Sequence, residues 1–286
     1  MSAAGTDPAG VHPDGVCPAG AGAVGWAALL APLAERHAYW MALPDDEVRT
    51  DRDEAAEDIR AMQLVLRMER DALPSWSAAI EAACTAATAV CLDERAAPGG
   101  EWHDPVAGYV RAHIRKVTRR ARGGQWDAVQ DLPGITVTHG DAEVRALVPG
   151  PVTDLAKRVA KLQVGGTDVP RDRRTVSVVR ARPGTLSLMV PDGVPMTVGK
   201  LMAQAGHAGM ITAALLAGTD PAALARWHDA GLPAVVYPIR DDVWRARVAT
   251  ASDSTGGRRR QVAVRDAGFT EIDPGTVTVV ADTEQL

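Results

Sequence analysis

The chain has 286 residues, 46% apolar and 23% charged, enough for two modest domains with a buried core. A formal net charge of −5 excludes a uniformly basic nucleic-acid coat, so any polyanionic partner must meet local basic patches. Cys17, Cys84 and Cys91 form no CxxC pair and no disulfide framework, which fits a reducing, cytoplasmic setting.

Residues 1–22 are rich in Ala, Gly and Pro and are expected to be a disordered leader. The next stretch, "GAVGWAALLAPLA", is too short to span a bilayer and is interrupted by Pro32. No lysine or arginine precedes Arg36, so no secretory n-region and no membrane association are expected. A short helix is predicted from Trp26 to Leu43. An acidic stretch follows, and a second helix is predicted over 54–73 from Ile59, Met62, Leu66 and Leu73. Pro74 and Ser75 open a further helix, with Cys84 and Cys91 two turns apart on its core side. The stretch 106–126 reads as a helix on which Arg111, Arg115, Arg119 and Arg122 share a face, either solvated or gripping RNA. "GITVTHG" and "AEVRALVPG" read as a hairpin, 152–163 as a helix, and 165–175 as a polar linker.

The second half alternates strands with helices. Strands are predicted at "VSVVRAR", "TLSLMV", "PAVVYPI", "RQVAVRD" and "TVTVVA", with helices after Lys200, at "PAALARWHDAG" and from Asp241. The expected fold is α/β. A C-terminal α/β layer domain over 171–286, a small mixed sheet flanked by helices, follows a mostly helical domain over 23–170 with a short β hairpin.

A Gly-Lys pair, Gly199 and Lys200, sits between a strand and a helix, where phosphate-binding loops occur. A Walker A loop is excluded, because five residues rather than four separate Gly193 from Gly199, and Leu201 occupies the hydroxyl position. Pro195 also removes a backbone donor. Lys200, Gln204 and His207 instead lie at i, i+4 and i+7 and share one helical stripe. Further on, "DAGFTEIDPGT" places Asp266 at a strand end and Thr270 in the turn. Taken alone, each stretch is compatible with a solvated polar surface as well as with a site.

Together they resemble the peptidyl-tRNA hydrolases of the second, archaeal and eukaryotic type. That family carries M-G-K-G-K-x-A-A-Q-x-x-H-A and D-A-G-x-T-Q-I-x-P-G-S, which appear here as "MTVGKLMAQAGHAG" and "DAGFTEIDPGT". "RWHDAGLPAVVYPI" is similar to the family's W-x-x-x-G-x-P-K-V-V segment. The resemblance covers about 100 residues at the C-terminus. Val198, Pro191, Phe269, Glu271 and Ala234 depart from the family pattern, several of them replacing cations.

The resemblance implies hydrolysis of the ester joining a peptide, or a blocked amino acid, to tRNA by attack of water. No HExxH or paired Cys/His cluster suggests a metal, so a reaction without metal or cofactor is expected. It implies Asp266 as the group that orients and deprotonates the water. Lys200 would stabilise the oxyanion or hold the carboxylate charged, and Thr270 would hold water or substrate. Gln204 and His207 would grip the terminal nucleotide or the ester. The partner would be peptidyl-tRNA or tRNA, and the protein a homodimer. A tRNA substrate needs phosphate contacts, and seven arginines between residues 240 and 265, including Arg258, Arg259 and Arg260, are candidates. Two other readings stay open: a non-catalytic tRNA- or RNA-binding protein on this scaffold, and a related fold turned to another ester or a protein partner.

Overall fold

The computed structural model describes residues 21–48, 55–172, 182–252, 260–268 and 271–286. The leader lies outside these residues except for its last two, and the strand expected at "VSVVRAR" lies outside them except for Arg182.

The first half begins with helix α1 (Ala21–Ala42) and a single turn, α2 (Asp45–Val48). Strand β1 (Arg60–Arg67) leads to α3 (Trp76–Leu92) and α4 (His103–Arg111). Then come β2 (Arg115–Ala121), α5 (Gly124–Gln130), the hairpin β3 (Gly134–His139) and β4 (Ala142–Leu147), and the short β5 (Gly150–Pro151). A one-turn α6 (Lys157–Ala160) and a short β6 (Gln163–Val164) end it. The second half runs β7 (Leu186–Pro191), α7 (Val198–Thr219), α8 (Pro221–Asp229), β8 (Ala234–Ile239), α9 (Asp241–Ser252), β9 (Gln261–Arg265) and β10 (Val277–Asp282).

The strands form two sheets. One has the order β3-β4-β1-β2-β6, with β5 pairing β1; β1 and β2 are parallel and the other pairs antiparallel. The other has the order β8-β7-β10-β9, with β7 and β8 parallel. Helices α3 and α7 pack on each other between the sheets, α3 reaching β3, β4 and β8 and α7 reaching β2, β9 and β10. One apolar cluster therefore runs through both halves, from Leu29 to Ala281.

The α/β class and the C-terminal layer are as expected, and so is the hairpin. Two elements of the first half change type. Residues 60–67 form a central strand, not a helix: Met62, Leu64 and Leu66 alternate toward the helix layer, while Val65 joins a second cluster under α5 and α6. A strand buried on both faces shows no clean amphipathic period, so its apolar positions also fit a helical spacing. The stretch 106–126 is likewise not one helix. It breaks after Arg111, and Arg115 and Arg119 belong to β2, so the four arginines share no helical face. The helix expected over 152–163 shrinks to one turn. Helix α7 is long and apolar enough to cross a membrane by length and composition, but it is mostly buried as the core helix between the sheets.

The described part of the segment read as a polar linker, residues 165–172, is bound into the fold. Thr167 is buried, Asp168 accepts a hydrogen bond from the Val198 N–H at 3.1 Å, and Asp172 accepts from the Trp76 and Ser77 N–H groups at 2.9 and 3.1 Å. Its carboxylates thus satisfy orphan donors at the starts of α3 and α7.

Candidate functional site

Helix α7 starts under three acceptors. Thr197 is its N-cap and accepts from the Lys200 N–H at 3.2 Å. The Glu271 carboxylate accepts from the Thr197 N–H at 2.8 Å and from its hydroxyl at 2.7 Å. Asp168 is the third. Carboxylates belong at the positive end of a helix, and this charge offsets the unfavourable placement of Lys200 in the first turn. Glu271, a departure from the resembled motif, therefore has a local task.

The Lys200 ammonium meets the Asp266 carboxylate, Nζ to Oδ2 at 2.6 Å, with both side chains largely buried at 12% and 9% exposure. One turn further along α7, Gln204 donates from Nε2 to the same oxygen at 2.7 Å. Its amide is oriented from behind, since the buried Thr278 hydroxyl donates to Gln204 Oε1 at 2.7 Å. The other carboxylate oxygen, Oδ1, accepts the Gly268 N–H at 2.8 Å. Asp266 thus receives two charged or amide donors on one oxygen and a backbone donor on the other, which fixes its plane.

The backbone holding this carboxylate is a closed turn. The Asp266 N–H donates to the Thr276 carbonyl at 2.8 Å, and the Gly275 N–H donates back to the Asp266 carbonyl at 2.9 Å. Gly268 has φ +73°, and a Cβ there would lie 2.4 Å from the Pro274 nitrogen. No other residue fits without moving the turn.

The end of α1 anchors β9 immediately before Asp266. His37 Nε2 lies 2.9 Å from the Ala263 carbonyl, and the Trp40 indole N–H donates to the Arg265 carbonyl at 2.9 Å. Arg265 returns two bonds, to the Trp40 and Leu43 carbonyls at 2.9 and 2.6 Å, and pairs with Asp45. A cavity of about 570 Å³ opens beside these groups. Both halves of the chain line it: Trp40, His113 and Lys116 from the first, Lys200, His207 and Asp266 from the second.

Lys116 lies on β2, and its Nζ is 3.1 Å from His207 Nδ1. Its stem crosses α7 at Gly206, where a Cβ would sit 2.9 Å from Lys116 Cε. Burial pulls the Lys116 amine down to about 7. Burial, and then repulsion from Lys116 and Lys200, holds His207 well below the ordinary imidazole value, so its ring is neutral at physiological pH. Cys84 and Cys91 are buried in the core and their thiols are pushed up to about 12, which makes them inert packing groups.

The structure thus brings Lys200, Gln204, His207 and Asp266 to one cavity. Thr270, Arg258 and Arg259 lie outside the described residues. Arg260 is not in the lining; it is exposed and pairs with Glu284 at 2.9 Å. Arg119 is used within the first sheet, donating to Gln63 and to the Leu162 carbonyl at 2.8 and 2.9 Å. Sequence reasoning missed Trp40 and Thr278, and placed Lys116 only in a basic helical stretch, either solvated or gripping RNA. Thr278 carried a faint signal as a polar residue on an otherwise apolar strand, "VTVVA"; Trp40 carried none, and the strand that turns Lys116 into the cavity was read as a helix.

Residues 185–282, about a third of the chain, match the family model of peptidyl-tRNA hydrolase PTH2. Neither a curated protein nor a solved structure matches the chain.

Proposed function

We propose that this protein hydrolyses the ester between a peptide, or an N-blocked amino acid, and tRNA, with Lys200 and Asp266 at the centre of the reaction. The unit that carries the chemistry is taken as residues 171–286, with 23–170 as an accessory region. The observation that supports this most is the Lys200–Asp266 contact at 2.6 Å on the cavity wall, within the segment matched by the hydrolase family.

Water attacks the ester carbonyl carbon, the bond from that carbon to the ribose oxygen breaks, and the water's proton passes to the departing ribose oxygen. Asp266 orients the water through Oδ1, an oxygen that can accept beside the Gly268 N–H. An ammonium carries three donors, so Lys200 can pair with Asp266 and also stabilise the developing oxyanion. Gln204 keeps the carboxylate in plane, and Thr270 holds the water or the substrate. Arg258, Arg259 and Arg260 meet the tRNA backbone.

The test is release of a blocked amino acid from its tRNA by catalytic amounts of the protein. Multiple turnovers are expected. Tight binding of the tRNA without release would favour a non-catalytic tRNA-binding protein, and neither binding nor release would end both readings.

A further inference from the structure

We infer that Lys116 and His207 form a subsite for the phosphate of the substrate's terminal nucleotide, so that the first half of the chain completes the binding site. The identity of that substrate rests on the reading above; the subsite itself is argued from the cavity.

Lys116 has no carboxylate partner among the described residues; its contacts are His207 at 3.1 Å and the Tyr109 ring at 5.8 Å. The Lys200 charge is balanced by Asp266, whereas that of Lys116 is not. The other acids of the lining, Asp168 and Glu271, are engaged at the start of α7. Without a counter-ion the inward-facing amine gives up its proton more readily, and an anionic ligand at this position restores its charge. When the Lys116 ammonium donates to His207 Nδ1, the neutral ring carries its proton on Nε2, which can serve as a further donor in the cavity.

Two observations favour a nucleotide over a bare anion. Trp40 and His113 line the same cavity with their rings edge-to-face, centroids 5.7 Å apart, and offer an aromatic surface to a base. Also, Gln204 touches Asp266, and His207 is about 4.5 Å further along the helix axis at 1.5 Å per residue. That separation leaves room for an ester on the 3′-side of a ribose at Asp266 with the phosphate on its 5′-side at Lys116.

Calorimetric titration of the full chain with 5′-AMP, adenosine and inorganic phosphate at pH 7 tests this. AMP is expected to bind roughly tenfold more tightly than either adenosine or phosphate, the gain of one charge-assisted contact. Lys116→Met and Lys116→Gln are expected to melt no lower than the native protein and to bind AMP only as well as adenosine. The inference is overturned if native protein binds AMP no better than adenosine, if phosphate binds as well as AMP, or if both variants keep the preference. Because no turnover is needed, a Lys116-dependent AMP site in a protein that releases no amino acid would retain the subsite and remove the proposed reaction. Turnover without any AMP preference would do the reverse.

Discussion

Replacing Asp266 by Asn is expected to lower kcat for ester release by roughly 10³-fold while changing KM little, as loss of a water-orienting carboxylate and of its pairing with a cation should. The substitution is nearly isosteric. Its carbonyl oxygen can still accept the Gly268 N–H, so the turn should persist. What disappears is the negative charge beside Lys200, whose ammonium is mostly withdrawn from solvent. Stability is therefore expected to fall by about 1–3 kcal/mol from the orphaned amine, a loss read by denaturant melts. Native-like turnover in a folded Asp266→Asn variant would remove the carboxylate from the reaction.

A second large effect is expected at a residue that touches no substrate. Gly268→Ala adds one methyl where φ is +73° and where the Pro274 backbone lies 2.4–2.6 Å from the new carbon. The surrounding turn is closed by two backbone bonds between Asp266 and residues 275 and 276. It cannot relax without moving the residue that donates to Asp266 Oδ1. About 2–4 kcal/mol of stability should be lost, and turnover should fall nearly as far as in Asp266→Asn although the carboxylate is retained. Thermal melts and initial rates measured below the lowered melting temperature separate the two losses. A stable variant with native rates would show that the turn does not position the carboxylate.

The parts of this site that were legible in the sequence are those carried by short-range spacing. Lys200, Gln204 and His207 follow from helical periodicity, and Asp266 from a strand end followed by a Gly turn. Their meeting across 62 and 66 residues was implied by the resemblance to a family, and not by the residues themselves. The strand at 60–67 was misread because burial on both faces removes the contrast on which periodicity depends. That misreading had a further consequence at 115–121, where β2 pairs in register with β1. As a helix, the segment offered an arginine face; as a strand, it alternates, and Lys116 and Thr118 turn toward α7. The lacing of α1 to β9 joins residues more than 200 positions apart, through indole, imidazole and guanidinium bonds to backbone carbonyls. Such contacts leave no local pattern to read.

A double-mutant cycle on the released product tests most directly whether Lys200 and Asp266 act as one unit. Rates of amino-acid release are measured for the native protein, Lys200→Ala, Asp266→Ala and the double variant, all with intact melting transitions. The double variant is expected to be no slower than the worse single one, because each substitution alone already dismantles the pair. Losses that multiply, each side chain contributing independently of the other, would contradict it.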